Sequence, residues 1–254
     1  MYPFPAFHAA WDTVWAEIRA RATWLPAALT RSDDVHARWS DPDCLEAQMC
    51  GWPFAAQHRD TWRLVGSVSL DIDDADGDGH YRSVLVTPHD ADLDGLLAGR
   101  ATGDPPRVVA NSVDSLSGWI SLLATIDRPG DTAPVSTSFT DAHLDSLRAL
   151  RSGTADLACI DSWSLALIGV DDPALVTDLR RIGTGPRIPT PPFVARASLG
   201  AERIDELRSA FSAALTDPGS EAARASLRIS APAANTMAHY DATLDLAPCA
   251  PSGG

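Results

Sequence analysis

Between Arg107 and Ile182 the sequence alternates short apolar runs with amphipathic ones, and this rhythm limits the possible folds more than any other feature. RVVA (107–110) reads as a strand and residues 115–125 as a helix. PVSTS (134–138) is a strand and residues 141–152 a helix that stops at Gly153. LACI (157–160) is a buried strand, 162–169 an apolar helix, and 179–182 a short strand. Strands that alternate with helices predict a parallel α/β sheet. The first half is less regular. Phe7, Trp11, Val14, Trp15, Ile18 and Leu25 fall at helical spacing, which predicts one amphipathic helix over 6–29. Asp41-Pro42-Asp43 reads as the opening of a short helix over 43–49. Residues 63–70 and 81–87 are β-branched and read as strands around an acidic, glycine-rich turn at 71–80. The proline-rich run at 185–193 predicts a stiff, extended boundary. After it come one helix, 201–215, and a tail without clear pattern.

All 20 basic residues are arginine, and that removes several chemistries. A Walker-type phosphate loop, a Schiff-base enzyme and a Ser-x-x-Lys acylase each require a lysine. The 34 acidic residues bring the net charge to -14. Such a balance argues against nonspecific nucleic-acid binding and against an anionic membrane surface. No Gly-x-Gly-x-x-Gly loop, Gly-x-Ser-x-Gly elbow or His-Glu-x-x-His pair is present, so no cofactor and no metal is expected. Asp74, Asp76, Asp78 and Gly79 fit the start of a calcium loop, but Leu85 stands where the bidentate glutamate belongs. The turn therefore reads as solvated. Cys44, Cys50, Cys159 and Cys249 form no Cys-x-x-Cys motif, and a Cys44–Cys50 disulfide stays open at this stage. The first residues, MYPFPAFHAAWDTVW, lack the parts of a signal peptide, and no apolar run is long enough to span a bilayer. The expectation is a cytoplasmic, soluble protein as encoded, or a periplasmic one if the start is truncated or miscalled.

Two segments carry the strongest local chemistry. Asn111-Ser112-Val113-Asp114-Ser115-Leu116-Ser117-Gly118-Trp119 follows a strand and opens a helix. Open α/β sheets bind ligands at the carboxyl ends of their strands, where free helix amides and small hydroxyls hold an anion without lysine. Ser115, Ser117 and the Gly118 amide are candidates, and simple N-capping by Asp114 or Ser115 is the alternative. His143 opens the next helix after a strand, where the positive end of the dipole disfavours imidazolium.

Several segments together resemble a known family. They are Met1-Tyr2; Gln48-Met49-Cys50-Gly51-Trp52-Pro53; Tyr81-Arg82-Ser83; Asn111 with Asp114 to Trp119; His143 to Leu147; and Gly153 to Asp161. In this order they resemble the phosphate/phosphonate-type substrate-binding proteins of ABC transporters, over residues 1 to about 195. The resemblance implies a two-lobed α/β fold of the periplasmic-binding-protein kind (type 2), each lobe a mixed, mostly parallel sheet flanked by helices. Lobe I would be 1–85 plus 191–254 and lobe II 86–190, with the ligand cleft between them. Ser115, Ser117 and Gly118 would hold the anionic head with His143. Trp52 and Tyr81 would close from lobe I, Asp161 would sit at the back, and Tyr2 would end the first lobe-I strand. The sequence departs from the family at Trp52 and Trp119, where a tyrosine is usual, and a lost hydroxyl loses a hydrogen bond to ligand.

The function so implied is non-enzymatic: capture of a small phosphonate, phosphate ester or similar anion by a monomer, with an ABC permease as partner. The alternatives are a cytosolic ligand sensor on the same fold and an enzyme like the pyrimidine-precursor synthases. The enzyme would have to act through Cys50, Cys159 or His143, because it has no lysine.

Overall fold

The fold is taken from a computed structural model, which describes all residues except 1, 3, 33, 103–104, 127–135 and 247–254. The strands among the described residues are β1 (Glu46–Gln48), β2 (Trp62–Leu70), β3 (His80–Thr87), β4 (Arg107–Ala110), β5 (Ser136–Phe139), β6 (Leu157–Asp161), β7 (Arg180–Pro189), β8 (Phe193–Arg196) and β9 (Ile229–Ala233). The chain divides into two compact units. One is Met1–Tyr81 with Pro189–Asp241, and the other is Arg82–Ile188 with the segment from Ala242 onward. Both are α/β.

The first unit holds a sheet of order β1-β8-β2-β9. Its pairs β1–β8, β2–β8 and β2–β9 are all antiparallel, where the resemblance had implied a mostly parallel sheet. Strand direction is set by the connections and not by the strand's own residues, and both β8 and β9 return from far along the chain. The helices His8–Arg19 and Gly200–Ala214 bury Val14, Trp15, Ile18, Leu207 and Phe211. Phe211 lies against β2 at Gly66, where a Cβ would come within 2.8 Å of its ring.

The first helix stops at Arg19 and does not run to residue 29. Pro26 disfavours helix at Leu25. Side chains of the helix then hold the returning chain: the Trp15 indole donates to the Pro26 carbonyl at 3.1 Å and Arg19 to that of Leu25 at 3.4 Å. A second expectation also fails. Residues 43–49 are not helical: the helix is Val35–Ser40, capped by the Asp34 carboxylate on the Ala37 amide at 2.9 Å. Glu46–Gln48 is instead pulled into strand by β8. Arg196 of β8 fixes this loop, donating to the carbonyls of Trp39, Asp41 and Cys44 while stacking 4.1 Å over the Trp62 ring. The patternless tail contains the helix Glu221–Ser226, β9 and the helix Met237–Asp241.

The second unit holds a sheet of order β5-β4-β6-β3-β7. β4 runs parallel to β5 and β6, and β6 runs antiparallel to β3. Leu85, Val108, Leu122, Leu157 and Cys159 form its core. The expected strand at 179–182 is longer: β7 extends through much of the proline-rich run to Pro189. The described part of the strand expected at 134–138 is β5, beginning at Ser136.

Helix His143–Arg151 ends at Gly153, whose φ of +71° falls in the left-handed region. Open space surrounds that position, so a side chain would meet strain but no clash. Gly153→Ala should therefore cost about 1 kcal/mol, read as a lower urea midpoint with unchanged slope.

Candidate functional site

The parallel strands β4, β5 and β6 end at one edge of the second unit's sheet, and the polar residues gather there. After β4 the chain turns through Asn111–Asp114. The Ser115 hydroxyl then accepts from the Gly118 amide at 3.0 Å, so Ser115 is the N-cap of a wide turn, Leu116–Ile120, that leads into a helix. The capping alternative thus describes what Ser115 does. It leaves Ser117 for another partner, and that partner is His143: Ser117 Oγ and His143 Nε2 lie 3.2 Å apart and share a hydrogen bond.

His143 is the first residue of its helix, and Ala142 before it supplies no side-chain cap. The helix start therefore keeps its dipole uncompensated by a side-chain acceptor. Burial lowers the His143 pKa below its ordinary value, against a weaker opposing pull from Asp161. The imidazole is thus neutral at neutral pH, and its Nδ1 is buried with no partner. Asp161 closes β6, fully buried, and accepts from the Ser164 amide at 2.6 Å as N-cap of helix Ser162–Asp171. Its carboxylate is near enough to His143 to act on its titration.

Sequence reasoning assigned no role to two residues of this edge. Asn111 Oδ1 is buried without a partner, and a Cβ on Gly118 would approach it to 2.0 Å, so only glycine fits there. Ser162 Oγ is also buried and unpartnered. The signal for both was position: each directly follows a strand of the parallel set. Three buried polar atoms without partners, Asn111 Oδ1, His143 Nδ1 and Ser162 Oγ, thus belong to one sheet edge. Buried polar groups are nearly always hydrogen-bonded, so such a cluster is suited to a polar ligand.

Cys159 donates to the Ser117 carbonyl at 3.3 Å, and burial raises its pKa. A protonated, fully buried thiol is a poor nucleophile. Cys44 and Cys50 are not joined by a disulfide, which closes the question left open by their spacing; Cys249 lies outside the described residues.

The first unit places its three candidates on different elements. Tyr2 precedes the first helical turn, with φ +53°, and belongs to no strand, contrary to expectation. Its ring lines a cavity that neither Trp52 nor Tyr81 reaches. Trp52 lies in the first turn of helix Gly51–Ala56 with a buried, unpartnered indole nitrogen. Tyr81 is buried in β3 and bridges to Ala75. In the acidic turn, Asp78 accepts from the His80 amide at 3.1 Å. Among the described residues no group of His, Cys, Asp and Glu is arranged to hold a metal ion, and no helix is long and apolar enough to cross a membrane.

The chain is similar to known proteins over most of its length. Residues 51–240 match the family model described as ABC transporter, phosphonate, periplasmic substrate-binding protein. No curated protein matches the chain. Among solved structures, PhnD1 from Prochlorococcus marinus in complex with methylphosphonate superposes with a TM-score of 0.72 at 13% identity, over 94% of this chain and 92% of that one. The binding-protein component of an ABC phosphonate transporter from Pseudomonas aeruginosa gives 0.70 at 18%, over 89% and 76%. A Xanthomonas citri protein bound to ATP gives 0.65 at 11%, over 94% and 92%. At these identities the likeness shows the fold.

Proposed function

The chain belongs to the periplasmic phosphonate substrate-binding family of ABC transporters, a family of binding proteins and not of enzymes, and from that premise we propose that it captures a small phosphonate or phosphate ester without transforming it and delivers it to an ABC permease. Periplasmic delivery is part of the same proposal. The observation that carries the reading is the Ser117–His143 pair at a helix start with no side-chain cap. A tetrahedral oxyanion is stabilised there by the dipole, by amide donors, and by the Ser117 hydroxyl, whose proton is left for the anion when the Nε2–H of the neutral imidazole donates to its oxygen. Asn111 and Ser162 bring further polar atoms to the same edge. The net charge of -14 does not veto such a site, because local dipoles act at contact while the global field is screened beyond about 10 Å at moderate salt.

The test is thermal unfolding of the purified protein with methylphosphonate, a phosphate monoester and malate. The phosphonate or the monoester should raise Tm progressively with concentration, by mass action. No shift with either at millimolar concentration overturns the reading. Ser117→Ala should weaken binding about tenfold to a hundredfold, the worth of one hydrogen bond to a charged group, and should lower the stability of the free protein by about 1–3 kcal/mol, because buried His143 Nε2 loses its partner. Titration calorimetry checks it.

A further inference from the structure

The first unit contains a cavity of about 260 Å3 that the proposed function does not use. Trp11, Trp15, Ile18, Trp39, Phe193 and Phe211 line it. Its aromatic walls are held in place: Trp11 and Phe193 lie 6.2 Å apart, Phe193 and Phe211 4.7 Å, and the Trp39 indole donates to the Gln48 carbonyl at 3.2 Å. A dry apolar cavity of about 150 Å3 is large enough to bind benzene, so this one has room for a substituted ring. It is not purely apolar. Glu46 and Gln48 of β1 also line it, two residues apart and therefore on one face of the strand. Glu46 Oε2 and Gln48 Nε2 are both buried and both without a partner. One is an acceptor and the other a donor. Each unpaired buried group carries a desolvation cost, which a ligand of matching polarity recovers.

We propose that this cavity is a second binding site, for a small uncharged molecule with an aromatic or apolar body and one amide-like N–H/C=O pair. The ligand N–H donates to Glu46 Oε2, and Gln48 Nε2 donates to the ligand carbonyl. The aromatic walls take the ring. An anionic ligand is disfavoured, because the arginines of the lining are already paired: Arg38 with Asp41 at 2.5 Å and Arg31 with Asp12 at 2.6 Å.

Benzamide and toluene are the probes, followed by tryptophan fluorescence and by ligand-detected NMR on the whole protein. Benzamide should bind saturably and at least tenfold more tightly than toluene. Gln48→Leu should remove that advantage and leave toluene binding intact, which shows that the cavity still forms. Glu46→Leu should do the same by an independent change. Equal binding of the two probes overturns the proposal, as does benzamide binding that neither variant weakens. Absence of saturable benzamide binding up to about 10 mM also overturns it. Methylphosphonate should not compete with benzamide, so failure here is distinguishable from failure of the anion site.

Discussion

Replacing Gly118 by alanine is expected to destabilise the protein by about 2 kcal/mol and, on the proposed reading of the site, to reduce methylphosphonate affinity at least a hundredfold. The added Cβ would stand 2.0 Å from Asn111 Oδ1 and 3.0 Å from Ser115 Oγ. Neither neighbour can yield cheaply. Ser115 Oγ is the acceptor for the Gly118 amide itself, so pushing it away uncaps the turn. Asn111 must leave a buried position directly after β4. Ser117 is the neighbour in sequence, and its hydroxyl is held by His143, so displacement of the turn breaks that contact too. The loss is therefore larger than for Ser117→Ala, which removes one hydroxyl and leaves the backbone in place. Urea unfolding gives the stability cost and calorimetry the affinity. Full retention of methylphosphonate binding in a folded Gly118→Ala protein would show that the turn is not the anion site.

The same turn shows which parts of the molecule could be read from sequence. Strand β4 and the serine turn after it were legible because both depend on neighbours within about ten residues: a β-branched run, then small polar residues, then a helical pattern. The pairing of Ser117 with His143 was not, because it joins residues 26 apart through the parallel pairing of β4 and β5. His143 was singled out for its helix position and by the resemblance, which set it on the same anionic head as Ser117; burial, which sets its charge state, is a property of the fold. Asn111 was quoted as part of a motif, yet its importance rests on the space that Gly118 leaves free. In the first unit the errors have separate causes. Glu46–Gln48 lacks enough residues to declare a strand, and its partner β8 lies about 150 residues away. Local propensity read a helix there, and a nonlocal ladder overrode it. Tyr2 was placed on a strand by resemblance only, and no periodicity of its own supported that.

The misread strand also carries a large expected pH effect. Glu46 is pushed up to about 7 from an ordinary 4.5, chiefly by burial, with Arg38 opposing. At pH 4 the folded and unfolded chains both hold the proton, and Glu46 adds no pH dependence. Between about 4.5 and 7 the unfolded chain releases it while the folded one keeps it, so stability falls as pH rises. Above about 7 both are ionised and the loss is complete, at roughly 2–3 kcal/mol after allowance for partial access of water. The carboxylate then sits against aromatic walls with Oε2 unpartnered, a state that protein interiors penalise. Glu46→Gln keeps the shape and removes the charge. Its stability should be similar to that of the parent at pH 4.5 and greater by roughly 2–3 kcal/mol at pH 8, measured by urea unfolding across that range. The sign is opposite to that of a salt-bridged acid, whose removal would hurt most at high pH. If Glu46→Gln lowers stability at pH 8, the carboxylate is paired in solution, and the donor–acceptor couple assigned to the cavity loses its acceptor.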